Sequence, residues 1–154
     1  VRLYPTLVLQ GSPLAALHGS GQFRPLSVSR AVVLCGRMKE IFDQAGIPVI
    51  RMGLQPTQSL ERELLAGPYH PAFGELVLAR IYFKRLRRRL AVLQKERGDV
   101  RIRLLLSESD RSLLYGRKRY YLDRLNGLRL LQGVEMVFVP GKTRMAIEQE
   151  MRLP

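Results

Sequence analysis

The pattern of hydrophobic and polar residues in the first third of the chain predicts a strand, a helix and a second strand. The apolar run from Leu3 to Leu9 predicts a strand that ends at the turn sequence GSP. Ser27 or Ser29 can cap a helix that runs to about Ala45. Five apolar residues are expected on its buried side: Val32, Val33, Met38, Ile41 and Phe42. The run from Ile47 to Leu54 predicts the next strand, so these elements form a parallel strand, crossover helix and strand unit.

A long amphipathic helix is predicted in the middle of the chain, after a loop from Thr57 to Pro71 that contains Gly-Pro and His-Pro pairs. Its apolar residues recur at spacings of three and four: Leu76, Ala79, Phe83, Leu86, Leu90 and Leu93. Cationic residues lie opposite this seam or on its flanks: Lys84, Arg85 and Arg88 opposite, and Arg80, Arg87 and Arg89 on the flanks. The pair Gly98-Asp99 is expected to end the helix, which suits packing on a sheet with its charge facing outward.

The last third of the chain predicts a small α/β region. Apolar residues from Val100 to Leu106 alternate with two arginines, which indicates a strand covered on one face. Ser107 is expected to cap a helix that begins with acidic residues, is interrupted at Gly116 and ends near Asn126. Three alternate apolar residues predict the last strand: Val134, Met136 and Phe138. A short helix from Thr143 is expected to finish the chain.

Charge is concentrated in the second half of the chain. The whole chain carries a net charge of +13, and residues 80–130 contain 16 Lys and Arg against 5 Asp and Glu, a net charge of +11. Such a block usually indicates attraction to a polyanion, either nucleic acid or an acidic membrane surface. The alternative is a solvated face that docks on an acidic neighbouring domain.

The segment YGRKRYY, residues 115–121, is the best candidate for direct contact with nucleic acid. Its cations can neutralise phosphates, and a tyrosine can stack on an unpaired base, although at least one tyrosine is expected in the core. With the helix described above, it supplies the predicted RNA-binding residues: Lys84, Arg85, Arg88, Arg117, Lys118, Arg119 and Tyr120.

Nothing in the sequence supports catalysis by this chain alone. It has no glycine-rich phosphate loop, no Ser-His-Asp set, no paired carboxylates at a strand end and no metal-ligand spacing. Cys35 is the only cysteine and is expected to be a buried core thiol. No apolar run approaches the roughly 18 residues needed to span a bilayer. We therefore expect no membrane partner, no metal site and a cytoplasmic location.

The sequences RLYPTLVLQGSPLAALHGSGQFRPLS and PVIRMGLQPT resemble the end of the barrel in radical S-adenosylmethionine (SAM) enzymes. The resemblance is strongest to the family of the Elongator catalytic subunit and its shorter bacterial relatives. It rests on residues that fit the family pattern in order: Tyr4, Pro5, Thr6, Leu7, Val8, Gly11, Ser12, Gly21, Phe23, Pro25 and Leu26. AGPYHPAFGELV resembles the start of the family's C-terminal extension, and LLLSESDRSLLYGRKR resembles a Ser-rich helix start in bacterial members.

This resemblance implies a fold class and three regions. The class is α/β, with the last strand, helix and strand unit of a partial (β/α) barrel followed by a small α/β extension. Residues 1–57 would be the end of the barrel, 58–71 a connecting loop and 72–154 the basic C-terminal extension. Because the chain opens inside an apolar strand, we expect an upstream barrel portion of the same protein to be its partner.

The resemblance also implies two cofactors for the parent protein. Family members bind SAM and hold a [4Fe–4S] cluster on the three thiolates of a CxxxCxxC loop. One cysteine cannot replace three, so this chain is expected to be inactive on its own. By likeness, Leu54, Gln55 and Pro56 would lie beside the adenine of SAM. Residues at the neighbouring strand end would face the cofactor or the substrate: Gln10, Gly11 and Ser12.

The leading functional hypothesis is therefore the C-terminal part of a radical SAM enzyme that modifies RNA, with tRNA held by the basic extension. Two alternatives remain open. The chain can be a non-catalytic module that binds nucleic acid or docks on a partner. It can also belong to a radical SAM enzyme with a small-molecule substrate, as in the related coproporphyrinogen dehydrogenases.

Overall fold

A computed structural model describes residues 1–96, 101–116, 119–143 and 145–153. The chain divides into two compact units, unit 1 from Val1 to Arg80 and unit 2 from Ile81 to Pro154. Both units mix helices with short sheets, which confirms the predicted α/β class. Among the described residues, no helix is both long enough and apolar enough to cross a membrane.

Unit 1 contains four short strands and three helices, followed by the beginning of a long fourth helix. In chain order they are β1 (Arg2–Leu3), β2 (Val8–Leu9), α1 (Pro13–Gly19), α2 (Val28–Gln44), β3 (Arg51–Met52), α3 (Gln58–Glu63), β4 (Leu64–Ala66) and α4 (Phe73–Glu96). β1 pairs with β3 in parallel, with Leu3 opposite Met52. Because α1 and α2 lie between these two strands in sequence, the predicted parallel crossover unit is confirmed.

The predicted strand from Leu3 to Leu9 is wrong, because the structure divides it between two sheets. β1 ends at Leu3, and β2 begins at Val8 and pairs antiparallel with β4. Pro5 lies in the break, and proline has no N–H to donate to a ladder. The second predicted strand is likewise shortened to β3, which begins after Pro48.

The segment 58–71 is more ordered than the predicted loop. Thr57 caps α3 by accepting a hydrogen bond from the Leu60 N–H at 3.1 Å, and β4 follows directly. Regular structure therefore continues to Ala66, and only residues 67–72 connect it to α4.

α2 begins where predicted, because Ser27 accepts a hydrogen bond from the Arg30 N–H at 3.3 Å. Its predicted buried side is partly wrong. Met38 and Ile41 are exposed, Ile41 to 63%, and the buried residues are mostly small: Ala31, Val32, Cys35 and Gly36. The covered side of α2 is therefore the one with small residues, and not the one with the larger Met38 and Ile41.

Unit 2 contains the rest of α4, then β5 (Arg101–Ser107), a 3₁₀ turn (Glu108–Asp110), α5 (Arg111–Tyr115), α6 (Tyr120–Gly127), β6 (Val134–Val139) and β7 (Ile147–Leu153). Its sheet has the order β6-β5-β7, with β6 parallel and β7 antiparallel to β5. The predicted alternation in β5 is confirmed, since Ile102, Leu104 and Leu106 are buried.

The apolar seam of α4 is confirmed in its second half, where Phe83, Leu86, Leu90 and Leu93 are buried. Leu76 and Ala79 are only half-buried. Four further residues of α4 are buried that the seam did not include: Phe73, Val77, Ile81 and Tyr82. The helix thus buries a wider surface than a single seam. Its predicted end at Gly98-Asp99 lies outside the described residues.

Two predictions for the end of the chain are wrong. The short helix expected from Thr143 is replaced by β7, whose residues IEQEMRL include good helix formers. Pairing along β5 overrides that local preference, because it satisfies backbone groups over the length of the strand. Ser107 does not cap a helix; its hydroxyl donates to the Lys142 carbonyl oxygen at 2.9 Å. The predicted interruption at Gly116 is confirmed by the break between α5 and α6.

Candidate functional site

The predicted cofactor contacts Leu54, Gln55 and Pro56 follow the carboxyl end of β3 in unit 1. Gly53 directs the chain there with a φ of +79°, and its N–H donates to the Leu3 carbonyl oxygen at 2.9 Å. A Cβ on Gly53 would lie 2.7 Å from the Cβ of Phe73, so this turn requires glycine.

Leu54 borders a small cavity at this carboxyl end. Its other lining residues are Pro5, Leu7, Gly53, Pro68, Tyr69, His70 and Phe73. The cavity measures only about 10 Å³, close to the space that a single water needs. The side chain of Leu54 is 37% exposed, and Gln55 and Pro56 are exposed as well. These three residues therefore present an open edge and not an enclosed pocket.

The substrate-side residues Gln10, Gly11 and Ser12 follow β2, the last part of the predicted strand, which pairs with β4. The Gln10 N–H donates to the Glu63 carbonyl oxygen at 2.7 Å. The Ser12 hydroxyl caps α1, accepting from the Ala15 N–H and donating to the Leu9 carbonyl oxygen. In the other sheet, β1 ends at Leu3 and pairs with β3. The residues that follow its carboxyl end are Tyr4 and Pro5.

Sequence reasoning assigned no site role to Tyr69 and His70, which line the cavity beside Leu54. The Tyr69 hydroxyl donates to Glu61 Oε1 at 2.7 Å, and this bond raises the pKa of Tyr69. His70 Nδ1 accepts a hydrogen bond from the Ala72 N–H at 3.1 Å. Both residues lie within AGPYHPAFGELV, the sequence that resembles the family, and this resemblance could have indicated a site role for them.

In unit 2, the cations of α4 do not share one face. Phe83, Arg87 and Gln94 are separated by four and seven residues. Both spacings return to the same face of a helix, so these three side chains lie on one side of α4. Arg85 is two residues from Phe83, about 200° around the helix, and lies on the other side. Arg85 and Arg88 are both exposed, whereas Lys84 is half-buried.

None of the three tyrosines of YGRKRYY is fully buried, so the expected core tyrosine is borne out only in part. Tyr121 is half-buried and stacks on the buried Phe83, with ring centroids 4.8 Å apart. Tyr120 is 58% exposed. The Arg119 guanidinium lies 5.5 Å from the centroid of the Tyr115 ring. The predicted contacts Arg117 and Lys118 lie outside the described residues.

Arg124 is a cation of this region that sequence reasoning did not select. Its Nη1 donates to the Tyr120 hydroxyl at 3.2 Å, and its guanidinium lies 5.6 Å from the centroid of the Phe83 ring. The signal was the spacing of four residues between Tyr120 and Arg124, which makes them neighbours on a helix. α6 therefore carries an exposed tyrosine, Tyr120, whose hydroxyl is hydrogen-bonded to the guanidinium of Arg124.

Most exposed arginines of unit 2 keep their charge available. The cations that form ion pairs with carboxylates include Lys39, Arg103, Arg111 and Lys142. The Arg111 pair lowers the pKa of Glu108. No carboxylate of the described residues pairs with Arg85, Arg87 or Arg88 of α4, with Arg119 just before α6 or with Arg124 of α6. Such a surface attracts polyanions.

The part of the chain that the structure describes contains no group of three or more His, Cys, Asp or Glu side chains able to hold a metal ion. Comparison with protein families shows that the model of the Radical SAM C-terminal domain matches residues 1–83, slightly more than half of the chain. Neither the curated proteins nor the solved structures contain a match.

Proposed function

Because the chain belongs to the Radical SAM C-terminal domain family, we propose that it is the C-terminal part of a radical SAM enzyme that acts on RNA, and on tRNA in particular. The observation that carries the RNA proposal is the set of exposed arginines in unit 2 that have no carboxylate partner among the described residues. The motifs of residues 2–27 favour a parent enzyme similar to the Elongator catalytic subunit.

The family implies SAM and a [4Fe–4S] cluster in the parent protein. The residues of this chain do not fit the cluster, because a cluster of this type needs several thiolates and Cys35 is the only cysteine and is buried. The thiolates would come from residues other than 1–154. The open edge formed by Leu54, Gln55 and Pro56 supports a contact with one side of a cofactor, which the small cavity does not enclose.

In this proposal the two ends of the chain have different roles. Residues 1–57 complete the barrel and approach the cofactor, and residues 72–154 hold the RNA. The strongest support for an RNA partner is electrostatic. Each phosphate that is neutralised by Lys or Arg releases condensed counterions, and this release favours binding. The predicted contacts Arg85 and Arg88 are exposed on α4 and can reach a phosphate backbone.

The test is a titration of tRNA by fluorescence anisotropy over a series of salt concentrations. Reversing two charges in Arg85→Glu/Arg88→Glu should weaken binding and reduce the slope of log K against log salt by about 1.4 to 1.8. The matched control is Arg30→Glu/Arg37→Glu, which reverses two exposed arginines of α2 in unit 1. Equal losses in both variants would mean that only net charge matters and would contradict the role of α4.

A polyanion without bases separates an RNA partner from an acidic protein surface. Polyglutamate with the same number of charges should compete poorly with tRNA, because it offers no base for stacking. If polyglutamate competes as well as tRNA does, the basic region serves as a docking surface, and the RNA proposal fails.

A further inference from the structure

The two adjacent tyrosines of α6 have different surroundings. Tyr121 stacks on Phe83 with an interplanar angle of 25° and is half-buried. Among the rings of the described residues, Tyr120 contacts only Tyr121, in an edge arrangement with a centroid distance of 5.2 Å and an angle of 69°. Because Tyr120 is also 58% exposed, part of its ring surface is open to a ligand.

Arg124 restrains Tyr120 before any ligand arrives. The guanidinium is held by the Phe83 ring on one side and donates to the Tyr120 hydroxyl on the other. A tyrosine whose rotamer is already fixed loses less conformational entropy when a ligand stacks on it. The charge of Arg124 remains available for a phosphate, since no carboxylate in the described part of the chain pairs with it.

Arginines in left-handed backbone conformation stand at both ends of α6. Arg119 precedes the helix with a φ of +54°, and Arg129 follows it with the same φ. This conformation is uncommon for residues other than glycine, and such strain often marks functional sites. Gln94 of α4 holds the segment after α6 by donating from Nε2 to the Leu130 and Gln132 carbonyl oxygens at 2.9 and 2.8 Å.

The length of α6 suits a short stretch of nucleic acid. Eight residues at about 1.5 Å per residue span roughly 12 Å. A strand that keeps helical stacking, at about 3.4 Å per nucleotide, would place three or four nucleotides along this length. A base that is paired within a duplex is covered by its neighbours, so Tyr120 can stack only on a base that is unpaired.

We infer that α6 binds an unpaired segment of RNA, in which Tyr120 stacks on one base and Arg119 and Arg129 contact the flanking phosphates. Arg124 is the positioning residue of Tyr120. This inference rests on the proposed RNA function and specifies which RNA feature unit 2 recognises. An acidic protein would use the same charges but would gain nothing from the open tyrosine ring.

The experiment compares two RNAs with equal numbers of phosphates, a stem–loop and a blunt duplex, in titrations with the full chain. The wild-type protein should prefer the stem–loop. Tyr120→Leu keeps an apolar side chain but has no planar ring, and it should lower stem–loop affinity by about 5- to 150-fold, equivalent to 1–3 kcal/mol per stacked base. Duplex affinity should stay within about twofold. Ile41→Ala, which truncates an exposed apolar residue of unit 1, is the control.

A fluorescent base analogue in the loop separates stacking from charge. 2-Aminopurine in the loop should be quenched by the wild-type protein, and the quenching at saturation should be lost in Tyr120→Leu and reduced in Arg124→Met. Arg119→Gln and Arg129→Gln should each reduce the salt slope by about 0.7 and leave the quenching unchanged. A structural role of Arg124 would lower the melting temperature without altering the quenching at saturation.

The outcomes distinguish the inference from the proposed function. If the wild-type chain binds neither RNA, the proposed function fails and the inference fails with it. If it binds both RNAs equally and Tyr120→Leu changes neither affinity nor quenching, the inference is overturned and RNA binding stands. A melting curve of each variant shows that it is folded during the titration.

Discussion

The two units differ in net charge, in the length of their strands and in how far the family model matches them. Unit 1 has 8 Lys and Arg against 5 Asp and Glu, whereas unit 2 has 18 against 8. The family match covers unit 1 and ends three residues into unit 2. The family likeness and most of the positive charge therefore lie in different parts of the chain. This separation agrees with the proposed division of the chain into a part that approaches the cofactor and a part that binds RNA.

The units also hold their backbones in different ways. The strands of unit 1 are two or three residues long, so its ladders contribute few hydrogen bonds, and close contacts at Gly53 and Gly67 constrain the chain. Unit 2 has a three-stranded sheet in which β5 pairs along its length on both edges. We therefore expect unit 1 to be sensitive to changes at glycines and unit 2 to be sensitive to changes in its core.

The largest expected effect is in the core of unit 2. Leu104 is fully buried in the central strand β5, and Leu104→Ala should lower the free energy of unfolding by about 2–5 kcal/mol, because it leaves a cavity. Urea unfolding followed by circular dichroism measures this loss. Val92→Ala, an exposed position on α4, should change the stability by no more than about 0.5 kcal/mol. Equal effects would show that the sheet is not the core of this unit.

Gly53→Ala tests the corresponding constraint in unit 1. We expect the free energy of unfolding to fall by about 2–4 kcal/mol. A Cβ would collide with Phe73, and a φ of +79° is unfavourable for alanine. Gly46→Ala is the control: Gly46 has a φ of +69°, but the space around it is open, so only the backbone cost of about 1–2 kcal/mol applies. If the two variants were equally stable, contact with Phe73 would not be the constraint.

Cys35 reports on unit 1 in the same experiment. Burial raises the pKa of its thiol, so the folded protein should react slowly with a thiol reagent. In Gly53→Ala the reaction should become faster at low urea concentrations than in Gly46→Ala. Rapid labelling of the wild-type protein without urea would contradict the burial of Cys35.

A smaller effect, of opposite sign, is expected at Tyr82 in unit 2. Its hydroxyl is buried and has no hydrogen-bond partner among the described residues, and burial together with the nearby Asp110 carboxylate raises its pKa. Tyr82→Phe removes a polar group that is costly to bury, so it should stabilise the protein by about 1 kcal/mol. Urea midpoints compare the two proteins. A clear destabilisation would indicate that the hydroxyl has a partner after all.

The smallest effect concerns the surface pair of Glu108 and Arg111. The hydrogen bond from Arg111 lowers the pKa of Glu108 below its ordinary value of 4.5. The pair therefore adds stability above that value, and this contribution is lost as the pH falls through the lowered pKa. Wild-type and Glu108→Gln proteins should differ slightly in urea midpoint at about pH 7 and converge at about pH 2. A difference that persists in acid would rule out the ion pair as its source.

Several elements could be predicted from the sequence because they depend on neighbours along the chain. The Ser27 cap, the second half of the α4 seam, the alternation in β5 and the break at Gly116 are all local patterns. A hydroxyl three residues before an unpaired N–H, or a fixed spacing of apolar residues, acts in the same way wherever the chain lies. The resemblance to radical SAM enzymes also came from local motifs, and the family match over residues 1–83 confirmed its broad form.

The candidate sites were predictable in part. Residue types in YGRKRYY indicated that tyrosines would divide between core and surface, but only the contact with Phe83 identifies Tyr121 as the structural one. The sequence favoured Arg85 and Arg88, whereas Arg124 is the cation that contacts the exposed tyrosine. Cation count is a property of composition, but contact between two side chains depends on how their helices pack.

What the sequence alone determined is the type of most elements, the α/β class and the charge difference between the two halves, because these follow from local spacing and composition. Only the tertiary structure decided the pairing of β2 with β4, the choice of strand over helix for β7 and the side of α2 that is buried. The first two depend on a strand that is distant in sequence: β4 for β2 and β5 for β7. A strand pairs, and an apolar face packs, with the partner that gives the lowest free energy of the whole fold. The residues next to it in sequence do not determine which partner that is.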